Sequence, residues 1–349
     1  EGIRPSASKP IWIKPQESGT ENIPLRKLAI LAIGIVCTVL FYFTIVSANK
    51  AFRSDWQLPR ATGQEQAKYR LVLITRELET PFWVQVSGGA EEEARKRGAS
   101  IEVWGSYGKN QEDFLKKIEI AIDAKVDGII VQGLDTAEFK NLTKLKAAFY
   151  GIPVITVAND VPMADSLRRT YVGSDQYSAG RMIAEQLVSD MGPAGKVILM
   201  GDSLREYYQQ QRLNGIYDVL NGYPDILVKY AETPEAKEQA IAATRDQLNG
   251  LPDANAFVAV NANIAGAMVQ EIGRRSRVEP YHIYSFDDSH ETGPLLLQGK
   301  LDGLIEQDPQ EMGRLSVELM IKWLSGETVP LRTEGYLTDI RMAKAANAR

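Results

Sequence analysis

From Tyr69 to near its end the chain repeats one unit, a short apolar strand followed by an amphipathic helix, and few folds accept that pattern. The run 69–75 (YRLVLIT) is built for a strand. A helix over 81–97 comes next, with Thr80 to cap it, Pro81 in its first turn and Gly98 to end it. Further strands are expected at 101–104, 128–132 and 153–157, then at 197–200, 226–230, 256–260, 283–286 and 304–306. Between them Phe114, Leu115, Ile118 and Ile122 make a helical stripe, and helices are expected at 139–149, 179–191, 208–220, 235–248, 264–274 and 311–324. Short apolar strands alternating with helices call for parallel sheets covered on both faces. About ten such strands exceed one domain of ordinary size, so the expected fold is α/β, with two Rossmann-like lobes joined by a hinge. Ligands of such sheets sit beyond the carboxyl ends of the strands, which singles out those loops.

The 349 residues are 44% hydrophobic, enough for two cores. Acidic residues outnumber basic ones, 45 to 40, and no stretch is dense in Lys or Arg, which argues against a nucleic-acid partner. The single cysteine, Cys37, excludes an intrachain disulfide and a cysteine-rich zinc site. Neither a G-x-G-x-x-G after 69–75, nor a phosphate-cradling P-loop, nor a G-x-S-x-G elbow occurs, so no cofactor and no catalytic set are expected. His282 begins a strand. His290 comes after Asp287 and Asp288, where a metal or acid–base role is a minor alternative, while neighbouring carboxylates at a strand end point apart, which counts against the Asp pair as acid–base machinery.

The amino-terminal region differs. Residues 28–46 (LAILAIGIVCTVLFYFTIV) form an uncharged run of 19 positions, against roughly 20 for a spanning helix. Arg26 and Lys27 precede it, which places the chain beyond the run outside the cytoplasm. Two readings stand. Val46-Ser47-Ala48 offers a signal-peptidase site, whereas the run exceeds the usual signal core of about 7–15 residues and favours a retained anchor. Residues 1–27 are then a cytoplasmic or leader segment. Residues 47–68, polar and holding Pro59 and Gly63, are a linker to the extracytoplasmic body.

The strand-end loops are polar. The first leads to Thr80-Pro81-Phe82-Trp83, whose rings can cover the C–H face of a sugar. Later ones carry Asp135, Asn159, Asn261, Asp287 and Gln307. Such groups suit a polyhydroxylated ligand, and Asp and Asn are equally the preferred helix N-caps. For any single loop capping is the simpler reading; for the ensemble along one edge, a binding cleft is.

Taken together, VDGIIVQGLD, IPVITVAND, YVGSDQYSAG, VAVNANIAGA, IYSFDD and GLIEQDPQEMG resemble the type I periplasmic binding proteins, nearest their ribose- and galactose-binding branch. The resemblance covers the chain from about residue 69 to its end. It implies one lobe from 69–159 plus 308–336, and another from 160–307 plus 337–349. It implies ligand contacts at Phe82, Trp83, Asp135, Asn159, Asn261, Phe286, Asp287 and Gln307. Arg212 fills the second place of a two-arginine motif, leaving Gln210 in the binding place. Thr80 stands where an Asn is usual, and near Ala236 the usual aromatic is missing. The implied function is an extracytoplasmic solute-binding protein, not an enzyme. It closes on a sugar or related polyol and works with a membrane permease for ABC-type uptake or with a sensor histidine kinase. Weaker alternatives are a membrane-anchored sugar-modifying enzyme and a LacI-type regulator effector domain, the latter disfavoured by an apolar run where a helix-turn-helix would stand.

Overall fold

Two six-stranded sheets realise the alternation. This computed structural model describes residues 35, 37–45, 67–107, 110–202, 206–234, 236–275, 281–287 and 291–344. The first sheet uses β1 (Arg70–Thr75), β2 (Ser100–Gly105), β3 (Gly128–Gln132), β4 (Val154–Val157), β5 (Thr170–Gly173) and β11 (Tyr336–Leu337). The second uses β6 (Ala194–Gly201), β7 (Asp225–Glu232), β8 (Ala256–Ala259), β9 (His282–Phe286), β10 (Gly303–Gln307) and β12 (Ile340–Lys344). In space the strands run β11-β5-β4-β3-β1-β2 and β12-β10-β9-β8-β6-β7, and pairing is parallel except where β12 runs antiparallel to β10 at an edge.

Helices cover both faces of each sheet, which is why central strands are apolar throughout. All five residues of β3 are buried. Along β1 the side chains alternate between two cores: Leu71 and Leu73 join one cluster, Val72 and Ile74 the other. In β6, Val197 and Leu199 face one core and Ile198 and Met200 the opposite one. The helices that matter for the site are α1 (Pro81–Lys96), α2 (Gln111–Asp123), α3 (Ala137–Asn141), α4 (Met163–Ser166), α5 (Gln176–Met191), α6 (Tyr207–Leu220), α7 (Lys237–Gly250), α8 (Ala262–Arg275), α9 (Thr292–Leu297) and α10 (Pro309–Leu324). The expected helix 139–149 is instead α3 followed by a π-helical segment, Leu142–Ala147.

The lobe boundary expected between 159 and 160 lies later. Strand β5 pairs with β4, Ile155 opposite Thr170, and therefore belongs to the first sheet. Asp160 is fixed there too: its carboxylate accepts from Arg168 Nε at 2.6 Å and Nη2 at 2.7 Å, while Arg168 Nη1 reaches the Thr333 carbonyl at 2.9 Å. The chain passes between sheets after β5, between β10 and α10, and between β11 and β12.

By contacts, residues Glu1–Gln64 form a unit separate from Glu65–Arg349. In the first, residues 37–45 are helical with exposed side chains, Cys37 included. The rest of the 28–46 run apart from residue 35 lies outside the described residues, as do the 1–27 segment and nearly all of the 47–68 linker. Among the described residues no helix is long and apolar enough to cross a membrane.

Candidate functional site

A cleft of about 790 Å³ opens at the carboxyl ends of β1, β3 and β4 of the first sheet and of β6, β8, β9 and β10 of the second. Strand order reverses there in both sheets, the place where open α/β sheets hold ligands.

One hydrogen-bonded network in the cleft centres on Arg212, in α6. The Nε donates to Gln176 Oε1 at 2.7 Å, Nη1 to the Val260 carbonyl at 2.8 Å and Nη2 to Asp287 Oδ1 at 3.0 Å. Its guanidinium lies 4.3 Å above the Phe286 ring and 5.1 Å from that of Tyr208. These bonds and stacks fix a planar donor group in one orientation. Helix packing places it. Side chains cannot be added where α5 and α6 cross: a Cβ on Gly180 would strike the Arg212 carbonyl, and one on Gly215 the Tyr177 carbonyl.

Asp287 follows β9 with φ of 67°, a left-handed conformation rare outside glycine. Its backbone is held on both sides: its N–H donates to the Ile305 carbonyl at 2.9 Å, and its carbonyl accepts from Thr292 Oγ1 at 3.0 Å. The carboxylate thereby meets Arg212 and the Gln307 amide, which donates to the same oxygen. Gln307 in turn accepts from Gln176 Nε2 at 3.2 Å. Local backbone strain at a cleft, stabilised by its surroundings, commonly accompanies function.

The other wall comes from the first lobe. Thr80 caps α1 through its hydroxyl, which accepts from Trp83 N–H at 3.4 Å. Phe82, half-buried, lines the cleft, and Trp83, buried in the first lobe's core, backs it, with ring centroids 5.6 Å apart and planes at 77°. Gln132, buried, accepts from Thr75 Oγ1 at 3.0 Å and from the Arg76 N–H at 2.8 Å. Asn159 lines the cleft beside Ala158, whose φ is also positive at 63°. Asn261 does two jobs: it lines the cleft and its Oδ1 accepts from Ile264 N–H at 3.3 Å, capping α8. Burial raises the Tyr208 phenol above its ordinary pKa.

Six of the expected residues therefore meet around one cleft: Phe82, Trp83, Asn159, Asn261, Asp287 and Gln307. Three do not line it. Asp135 turns to Lys140 in the following helix, at 2.6 Å. Phe286 is fully buried and forms the surface on which Arg212 lies. Gln210 is exposed on α6, whereas Arg212 takes the cleft; two helical positions are about 200° apart, so the pair cannot share a face. Arg76, Glu77, Asp202, Glu206 and Tyr208 line the cleft as well, outside the residues that the sequence singles out. Tyr208 had a usable signal, one turn before Arg212 on the same helix face. Ala236 lines the cleft where an aromatic was expected. His290 and Asp288 lie outside the described residues. Among the described residues no group of His, Cys, Asp or Glu is placed to hold a metal.

Comparison with known proteins agrees with this fold. Residues 71–328 match the model of a family described as periplasmic binding protein domain. The ribose import binding protein of Bacillus subtilis is 22% identical over 299 residues, spanning 85% of this chain and 94% of the relative. A glucose-galactose binding protein from Geobacillus stearothermophilus is 30% identical, with TM-score 0.75, covering 80% of this chain and 98% of that one. A structure titled as a complex of XylFII with LytSN is 26% identical, with TM-score 0.71, covering 80% of this chain and 99% of the matched one.

Proposed function

Because the chain belongs to the periplasmic binding protein family, type I, we propose that its two lobes close on a small uncharged polyhydroxylated ligand, a sugar or close relative, outside the cytoplasm. It is a binding protein, not an enzyme. The observation that carries the ligand class is the union, in one cleft, of the fixed Arg212–Asp287–Gln307 group with Asn159, Asn261 and the Phe82–Trp83 rings. Hydroxyls are donors and acceptors at once, and that set offers them both, beside apolar faces for C–H groups. The cations among the described cleft residues, Arg76 and Arg212, both face carboxylates, which disfavours an anionic ligand. The ribose and glucose-galactose binders among the relatives support a sugar. Tyr208 supplies the ring surface that Ala236 does not.

A screen of neutral pentoses, hexoses and polyols by thermal shift tests this. At 100 times its dissociation constant a true ligand adds about 2.7 kcal/mol, which raises the melting temperature by several degrees. A response to anions alone, with none to any neutral sugar, overturns the reading.

Uptake through an ABC-type permease is the use we propose first. The second use we propose, beside a signalling partner such as a sensor histidine kinase, rests on two observations. The run 28–46 has the length and flanking charge of a retained anchor, and a relative has been solved as a complex of XylFII with LytSN. With that anchor the body lies on the outer side. A reporter enzyme active only in the cytoplasm, fused after residue 349, is expected to be silent; strong activity contradicts the topology.

A further inference from the structure

One ion pair in the cleft joins the lobes to each other. Arg76 leaves the carboxyl end of β1, in the first lobe; Glu206 immediately precedes α6, in the second. They meet at two points, Nη1 to Oε1 at 3.0 Å and Nη2 to Oε2 at 3.2 Å, with each side chain 12% exposed. Such two-point contact between planar groups is directional and holds only over a narrow range of separations.

Each end is tied to its own lobe. The Arg76 N–H donates to Gln132 at 2.8 Å and its carbonyl accepts from Ser106 Oγ at 3.2 Å, both in the first lobe. The Glu206 carbonyl accepts the Gln210 N–H at 3.0 Å, the first turn of α6. Neither backbone can follow the other if the lobes part, so parting them separates the charges. Helix capping does not call for the Glu206 carboxylate, which makes no cap hydrogen bond to α6. The pair also lies among the residues that line the cleft, so opening the cleft and breaking the pair are one movement.

We propose that Arg76 and Glu206 form a latch between the lobes, made only in the closed state, and that it sets how slowly the ligand leaves. Capture begins from open lobes, before the pair exists, so the latch acts on release and leaves the association rate nearly unchanged. The effect on release rests on the reading that the cleft holds a sugar; the latch itself does not.

The test uses the full chain. Cys37, the single cysteine, is replaced by serine, and spin labels are attached at Glu138→Cys and Asp246→Cys, exposed positions on helices of the first and second lobe. Pulsed dipolar measurement then reads the lobe separation without ligand. Arg76→Gln and Glu206→Gln should each enlarge the long-distance population, and the double variant should do no more than either alone, the mark of one shared interaction. Raising salt should move the wild type in the same direction and leave Glu206→Gln in place. If a variant fails to fold, the wild-type salt series still decides. With a sugar from the thermal screen, dissociation should be about tenfold faster in each single variant. Identical distance distributions in wild type and variants, unmoved by salt, overturn the latch even if a sugar binds. Distances that respond while no sugar binds leave the latch standing and remove the binding proposal instead.

Discussion

At the scale of single residues, the site depends on Arg212 more than on any group foreseen from sequence. It is 2% exposed and delivers its N–H groups to acceptors from α5, from the segment after β8 and from the loop after β9. Arg212→Lys keeps the charge but not the fork, and so strands buried acceptors. It should destabilise the protein by about 2–3 kcal/mol, read as a lower urea midpoint, and weaken sugar binding at least tenfold. A variant with unchanged midpoint and affinity would show that the arrangement is incidental. Sequence reading named Asp287 and Gln307 because both end strands. It gave the binding place to Gln210 because a motif was read by counting positions, while the facing of α6 is decided by Gly180 and Gly215 at the α5–α6 crossing. Gly215 lies three residues after Arg212, but its counterpart at the crossing, Gly180, is distant in sequence, and the contact between them shows only in the fold. Asp135 ends a strand by the same rule, but a lysine one turn into its own helix takes its carboxylate.

At the scale of elements, the strands expected at 128–132 and 283–286 stand out in sequence because a central parallel strand must be apolar on both faces. Strand β5 did not stand out. It has four residues, TYVG, all buried, too few for a period, and it follows Arg168 and Arg169. Missing it put the lobe boundary about fourteen residues early. Strands β11 and β12 escaped because edge strands borrow their definition from a partner, and β11 has only Tyr336 and Leu337 to pair. The switch to π-helix at Leu142–Ala147 likewise leaves no mark in hydrophobic spacing.

At the scale of the whole body, both sheets have the same order once the added edge strands β11 and β12 are set aside, so the carboxyl ends of both contribute to one cleft. That much was legible, because alternation fixes the class of fold and the strand-end rule fixes the side on which ligands bind. What sequence could not show was which polar strand-end groups face the cleft, since Asn261 is at once a cap and a lining residue. The central claim is that the lobes close on a sugar held by the Asp287 group. Asp287→Asn is the right probe: asparagine tolerates the left-handed backbone that alanine would strain, and it removes the charge alone. Calorimetric titration of the first sugar that responds in the thermal screen, into wild type and Asp287→Asn, is expected to show affinity lower by about tenfold to a hundredfold, since charged hydrogen bonds contribute roughly 1.5–3 kcal/mol. Equal affinity for the two proteins, beside a lowered melting temperature in the variant, would make Asp287 a structural residue and contradict the account.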